Sequence, residues 1–179
     1  QKVPFINDLI QNAFNRSGYQ LMPSEVGVFM SHRSIWKKIV EQGSQEQHFL
    51  VLESDSKIND IQLIEKTMTT VESGYDLFFW GAWNNHVSIK RSTSTTIANH
   101  YKIGTPLIRS VYGAYGYSLN VKAAKHLLAQ SGQINYPVDL YKHYVDEDAI
   151  LIGAIKSELI STWQTTDSTI RKEQPIDML

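Results

Sequence analysis

Phe49-Leu-Val-Leu52, led in by His48, runs without a polar break into Glu53-Ser-Asp-Ser56, and no other stretch constrains the fold of this chain as tightly. A short apolar run bounded by turn chemistry reads as a buried strand ending in a polar turn. Apolar continuity on both faces predicts a central strand, parallel to its neighbours and covered by helices. In extended backbone, residues two apart project to the same side, so Glu53 and Asp55 are expected to aim at one point while Ser54 faces away. Open α/β sheets bind their ligands at such carboxyl-terminal strand ends. Two hard carboxylate ligands suit Mg²⁺ or Mn²⁺, ions that leave coordination positions for water and a substrate diphosphate, which points to a nucleotide site. The plainer alternative is an acidic turn with solvated carboxylates, and these nine residues alone do not separate the two.

The surrounding chain supplies helices. Phe5, Ile6, Leu9, Ile10 and Phe14 recur at helical spacing between Val3 and Phe14, with Gly18 as a stop. Pro23 to Val40 carries the strongest helical pattern, with Ser24 as N-cap, Val26, Phe29, Met30, Trp36, Ile39 and Val40 along one stripe, and Gly43 at its end. Gly27 lies inside that pattern, where glycine costs up to about 1 kcal/mol relative to alanine, so it marks close approach by a ligand or simply by a packed neighbour. Asn59 or Asp60 is expected to cap a helix through Ile61, Ile64, Met68 and Val71, after which Tyr75 to Gly81 reads as another buried strand. This order of helix, strand, helix, strand favours a mainly parallel α/β sheet.

From Ala82 to Pro106 the pattern dissolves into a polar stretch with His86, Lys90, Arg91 and His100, expected as a long loop. Leu107 to Tyr117 looks like a strand or two interrupted at Gly113 and Gly116, and Asn120 caps a helix from Val121 to Gln130. Pro137-Val-Asp139 starts a further helical stretch, Asp146-Glu-Asp148 follows, Ile150 to Ile155 is a short strand, and a polar, loose tail is expected from about residue 164.

A chain of 179 residues fits a single domain over 1–179. Its net charge of -1 gives no electrostatic case for nucleic acid, and the absence of cysteine excludes disulfides and thiolate metal sites. No apolar run approaches the roughly 20 residues that cross a bilayer. The chain opens with Gln1, which suggests a processed or trimmed piece.

Three blocks, in order, resemble glycosyltransferase family 25, which includes bacterial lipooligosaccharide galactosyltransferases and collagen hydroxylysine galactosyltransferases. Pro23-Ser-Glu-Val-Gly-Val-Phe-Met-Ser-His-Arg-Ser-Ile-Trp36 is similar to its Gly-x-x-x-Ser-His-x-x-x-Trp helix. Phe49-Leu-Val-Leu-Glu-Ser-Asp55 is similar to its strand ending Leu-Glu-Asp-Asp. Ala114 to Leu128, followed by Pro137-Val-Asp139, resembles its Gly-Tyr-x-x-Ser-x-x-x-Ala-x-x-Leu-Leu segment and the Pro-x-Asp after it. Together they span about residues 23 to 139, and the ordered set is more specific than any one member.

The resemblance implies a GT-A-like, Rossmann-like fold with a mainly parallel sheet flanked by helices. It implies transfer of a hexose, galactose first, from a nucleotide-diphosphate sugar such as a UDP-hexose to a glycan hydroxyl, as in lipooligosaccharide, with Mn²⁺ or Mg²⁺ as cofactor. Carried over by position, Glu53 and Asp55 take the metal roles, and Gly27, Ser31, His32, Ser54, Gly81 and Tyr117 belong to the donor pocket. Asp139 is the first choice as general base of an inverting transfer, with Asp146, Glu147 and Asp148 as rivals. Ser54 stands where the family has a middle aspartate, and the family's opening strand with its arginine-rich segment has no counterpart before Phe5. The domain is therefore expected to be trimmed or reduced. The expected location is the cytoplasm, with peripheral association at the inner membrane. Two other functions fit the same residues: a non-catalytic relative that binds sugar, sugar nucleotide or protein, and a hydrolase of a nucleotide-linked substrate.

Overall fold

The computed structural model describes residues 5–44 and 47–163. Helix α1 (Phe5–Ser17) buries Ile10 and Ala13 and stops at Gly18, whose φ of 73° only glycine adopts freely. Helix α2 (Pro23–Gln42) begins one residue before the expected Ser24 cap: Met22 is the N-cap, Pro23 takes the first turn, and the Met22 amide donates to Glu25 Oε2 at 2.9 Å. Its buried stripe is Val26, Phe29, His32, Trp36 and Ile39, so helical periodicity alone turns His32 into the protein. Helix α3 (Ile61–Gly74) is capped by Asp60, which accepts from the Leu63 amide, and α4 (Val121–Gln130) by Asn120, which accepts from the Ala123 amide. The sequence named Asn120 outright and offered Asp60 as one of two candidates with Asn59.

Six strands form the main sheet: β1 (His48–Leu52), β3 (Leu77–Phe79), β4 (Thr95–Ala98), β5 (Tyr101–Gly104), β6 (Gly116–Asn120) and β7 (Ile152–Lys156), in the order β1-β6-β3-β7-β5-β4. Strands β2 (Ser56–Ile58) and β8 (Ile160–Thr162) make a separate antiparallel ribbon. The expected mainly parallel sheet is corrected here, because β3 with β7 is the parallel pair and the other pairings are antiparallel. The reason is that β6 slots between β1 and β3, and β5 lies beside β7, through non-local pairings that no local pattern reveals. Strands β1, β3 and β7 nevertheless run in one direction, so their carboxyl ends share one side of the sheet.

Strand β1 is likewise not central. It forms an edge, with Leu50 and Leu52 37% and 41% exposed. The polar stretch expected as a loop holds the β4–β5 hairpin and two short 3₁₀ turns, and the helical stretch expected from Pro137 is a turn followed by a 3₁₀ turn at Tyr141–His143. The polar tail expected from about residue 164 lies outside the described residues. No helix among the described residues is long and apolar enough to cross a membrane.

Two cores sandwich the sheet. On one face Phe79, Tyr117, Leu119 and Tyr141 pack with α1, α2 and α4; on the other Phe78, Trp80, Ile155 and Ile160 pack with α3. At the amino ends of β3 and β7, buried Asp76 gathers three elements: Oδ1 accepts from Asn120 Nδ2 at 2.8 Å, and Oδ2 accepts from Lys122 Nζ at 2.7 Å and the Leu151 amide at 2.9 Å. Burial pushes this carboxyl upward, but the hydrogen bonds from Lys122, Asn120 and Leu151 outweigh it and hold it below its usual value. A depressed carboxyl contributes stability that is present above its unfolded pKa and lost as pH falls through the folded one. Urea melts are therefore expected to show stability declining below about pH 4. Asp76→Ala should cost about 2–4 kcal/mol at pH 7, by leaving buried donors unpaired, and should flatten that decline.

Candidate functional site

Strand β1 stops at Leu52 because Glu53 leaves the ladder: its amide donates to the Tyr115 carbonyl at 3.2 Å, and its carbonyl accepts from the Ser56 amide at 3.1 Å, closing a tight turn over Glu53–Ser56. Ser56 Oγ also donates to the Tyr115 carbonyl. The turn is held from beyond by the β2–β8 ribbon and by the Trp163 amide, which donates to the Asp55 carbonyl at 3.1 Å. The expectation that Glu53 and Asp55 project together from extended backbone does not hold, since both lie in the turn. Glu53 is half-buried, whereas Ser54 and Asp55 are exposed.

Glu53 meets a chain of buried polar groups. Its Oε1 lies 3.2 Å from His32 Nε2, His32 Nδ1 lies 2.7 Å from the Tyr117 hydroxyl, and Trp36 Nε1 donates to that hydroxyl at 2.9 Å. The indole can only donate, so the phenol's own proton goes to His32 Nδ1. A neutral imidazole then carries its proton on Nε2 and donates to Glu53. Every member is satisfied in this arrangement, and the His32 tautomer follows from it. The ring of Tyr117 stacks on His32 at 5.7 Å, which fixes the imidazole plane. Burial, with Glu53 adding to it and the Trp36 hydrogen bond opposing, pushes the Tyr117 phenol well up, so it stays a protonated donor.

Two further residues, Glu158 and Tyr141, adjoin these elements, and sequence reasoning gave neither a role. The Tyr115 hydroxyl donates to Glu158 Oε1 at 2.6 Å, and Glu158 is tied in turn to Asn85 through reciprocal hydrogen bonds. Tyr141 is fully buried against Phe79 and Tyr117, at ring distances of 4.6 and 6.2 Å. Burial first, then the charges of Tyr117, Glu53 and Asp139, push the Tyr141 phenol upward, so Glu53 and Asp139 act on one buried group. A tyrosine two positions after the Pro-x-Asp element carries no local signal of this role.

The structure brings His32, Glu53 and Tyr117 together, leaves Asp139 two residues before the buried Tyr141, and separates other expected members. Gly27 and Ser31 lie on the solvent side of α2, with open space where a Gly27 side chain would stand and Ser31 Oγ donating to the Gly27 carbonyl. Gly81 is buried against its own chain: a side chain there would meet the Ile160 carbonyl and the Tyr115 ring. Asp146, Glu147 and Asp148 are exposed near the amino ends of β3 and β7, the opposite side of the sheet from Glu53, with Glu147 paired to Lys90 at 3.1 Å. That placement removes these three from the neighbourhood of Glu53.

Among the described residues no group of three or more His, Asp and Glu side chains converges as a metal shell. The acidic turn offers two hard oxygen donors, Glu53 and Asp55. The His32 hydrogen bond engages Oε1 of Glu53, and among the described residues Oε2 accepts none. Carboxylate oxygens of this kind are the ligands that hard divalent ions take, and Glu53 and Asp55 are the two the turn presents.

A family model described as glycosyltransferase family 25 (LPS biosynthesis protein) matches residues 4–142. No curated protein matches the chain.

Proposed function

The chain belongs to glycosyltransferase family 25, and on that premise we propose that it moves a hexose, galactose first, from a UDP-sugar to a hydroxyl of a lipopolysaccharide-type glycan. The supporting observation is the half-buried Glu53 at the carboxyl end of β1, aimed by His32, which Tyr117 and Trp36 hold in place. Such a braced carboxylate is preorganised: it needs little rearrangement when charge develops beside it.

In this reading Glu53 and Asp55 hold a divalent ion, and when bound the ion neutralises charge on the departing nucleotide diphosphate. The half-buried Asp139 takes the proton of the acceptor hydroxyl. That oxygen then bonds to the anomeric carbon as the bond from carbon to diphosphate oxygen breaks, with inversion. The exposed Ser54 faces the donor across the turn. The enzyme works in the cytoplasm, at the surface of the inner membrane where glycolipid acceptors are built.

Nucleotide release from UDP-galactose with Mn²⁺ tests the proposal, run with and without a lipooligosaccharide acceptor. Release that requires acceptor is the expected result. Equal release without acceptor supports a hydrolase instead, and no release from any UDP-hexose removes the enzyme reading. The exposure of Asp55 favours a second reading, a binding relative that retains UDP and sugar without turnover.

A further inference from the structure

Of the four tryptophans, Trp36 and Trp80 are buried, with their indole N–H groups donating to Tyr117 and Ser118. Trp163 is the opposite case: it stands immediately after β8, 60% exposed. Its amide continues the β2–β8 ladder by donating to the Asp55 carbonyl at 3.1 Å, so the alternation of the ribbon reaches it. Side chains two apart in a strand share a face, and cross-strand partners share it too. The register Lys57↔Ser161 therefore sets Lys57, Ser161 and Trp163 on one face of the ribbon. The other face carries Ile160, buried in the core with Trp80 and Tyr115. Asn59 extends the outer face, accepting from Ser161 Oγ at 3.2 Å. Lys57 Nζ lies 5.1 Å from the centre of the Trp163 ring, and among the described residues it makes no ion pair, although Asp55 is two residues away. An indole is seldom left this open, and the lysine does not hide it. The outer face thus joins one flat apolar surface, one unpaired cation, a hydroxyl and an amide.

We propose that this face is a subsite for an acidic saccharide of the acceptor glycan: the Trp163 indole stacks on the C–H face of a sugar ring while Lys57 pairs with a carboxylate or phosphate that the sugar carries. The inference rests on the transferase reading only in calling that saccharide the acceptor. Its place follows from the Trp163–Asp55 bond, which fastens the indole to the turn assigned to the donor's phosphates. Beside Glu53 and Asp55 an anion is repelled unless a cation accompanies it, and Lys57 is that cation. A neutral ring needs the indole alone, so the lysine is what selects an acidic one.

Calorimetric titration of the full chain with digalacturonate, a phosphorylated mannose disaccharide and neutral digalactose, without nucleotide or metal, separates carboxylate from phosphate and both from a neutral ring. At least one acidic probe should bind about tenfold more tightly than digalactose, the size expected for one hydrogen bond between charged groups. Lys57→Gln should abolish that preference and leave the affinity for digalactose as it was. Trp163→Ala should weaken every probe that binds by about tenfold, as for other rings stacked on an aromatic side chain, and Trp163→Phe should retain most of the affinity. Should Trp163→Ala loosen the ribbon, Lys57→Gln still decides, because it removes only a surface charge. Equal affinity for acidic and neutral probes, no binding of any of the three, or an acidic preference that survives Lys57→Gln each overturns the proposal. Weakened UDP binding in Lys57→Gln, with no saccharide bound by the wild type, assigns the lysine to the donor's phosphates and overturns it too. A wild type that transfers no hexose yet binds an acidic probe through Lys57 and Trp163 removes the transferase reading and leaves the subsite. Hexose transfer by a wild type that binds no acidic probe does the reverse.

Discussion

Replacing Glu53 by glutamine is expected to lower the transfer rate about 10²- to 10³-fold, the loss typical for removing one preorganised electrostatic group from a site of developing charge. Glutamine keeps the shape, and its amide oxygen can still accept from His32 Nε2, so the turn over Glu53–Ser56 should persist and the melting temperature should stay within a few degrees of wild type. Steady-state nucleotide release paired with a thermal melt checks both halves. A variant that retains its rate within about twofold would place Glu53 outside the reacting region. A variant that loses both rate and fold would show that the chain from Trp36 through Tyr117 and His32 to Glu53 serves stability instead.

The second large effect is structural. At Gly81 an added Cβ would stand 1.9 Å from the Ile160 carbonyl oxygen and 2.7 Å from Tyr115 Cε2. Neither neighbour can yield easily. The Leu159 and Ile160 amides both donate to the Trp80 carbonyl, at 3.0 and 3.2 Å, which presses β8 onto the end of β3. Tyr115 is buried and bonded to Glu158. Gly81→Ala is therefore expected to cost about 3 kcal/mol or more, at the upper end of overpacking substitutions. For a chain of this size that lowers the melting temperature by roughly 6–12 °C. Urea denaturation measures it directly. Because β8 pairs with β2, and β2 begins where the acidic turn ends, the same substitution should also loosen Glu53. An alanine variant with wild-type stability but weakened UDP binding would instead assign Gly81 to the donor pocket.

What could be read from the residues alone follows from how local the causes are. The stripe of Val26, Phe29, Trp36 and Ile39 was legible, though it was drawn with the exposed Met30 and without His32, which entered through the family resemblance; Asn120 was legible as a cap, and Asp60 as one of two candidates, because capping is a matter of a few bonds. Glu53 was legible as the polar end of an apolar run. The direction of β6 was not, since nothing within Gly116–Asn120 states that it will lie between β1 and β3. Strands β4 and β5 escaped notice because Thr95–Ala98 and Tyr101–Gly104 carry too few apolar residues to stand out from loop sequence. The common projection of Glu53 and Asp55 was expected from an extended geometry that the turn at Glu53 abolishes. The acidic run at 146–148 was a rival base through the family resemblance alone, and it sits at the amino ends of β3 and β7, away from Glu53. Tyr141 and Glu158 enter the site through tertiary packing, so no spacing rule could have named them.

The proposed site depends on the carboxylate at the end of β1 meeting a sugar donor's phosphates through a divalent ion. Calorimetric titration of UDP into the wild type and Glu53→Gln, each with and without Mn²⁺, reads that contact without any turnover. Mn²⁺-dependent binding by the wild type, weakened at least about tenfold in Glu53→Gln as expected for lost support of a metal site, is the result expected here. Equal affinity in the two proteins, or binding indifferent to Mn²⁺, would contradict the assignment of Glu53.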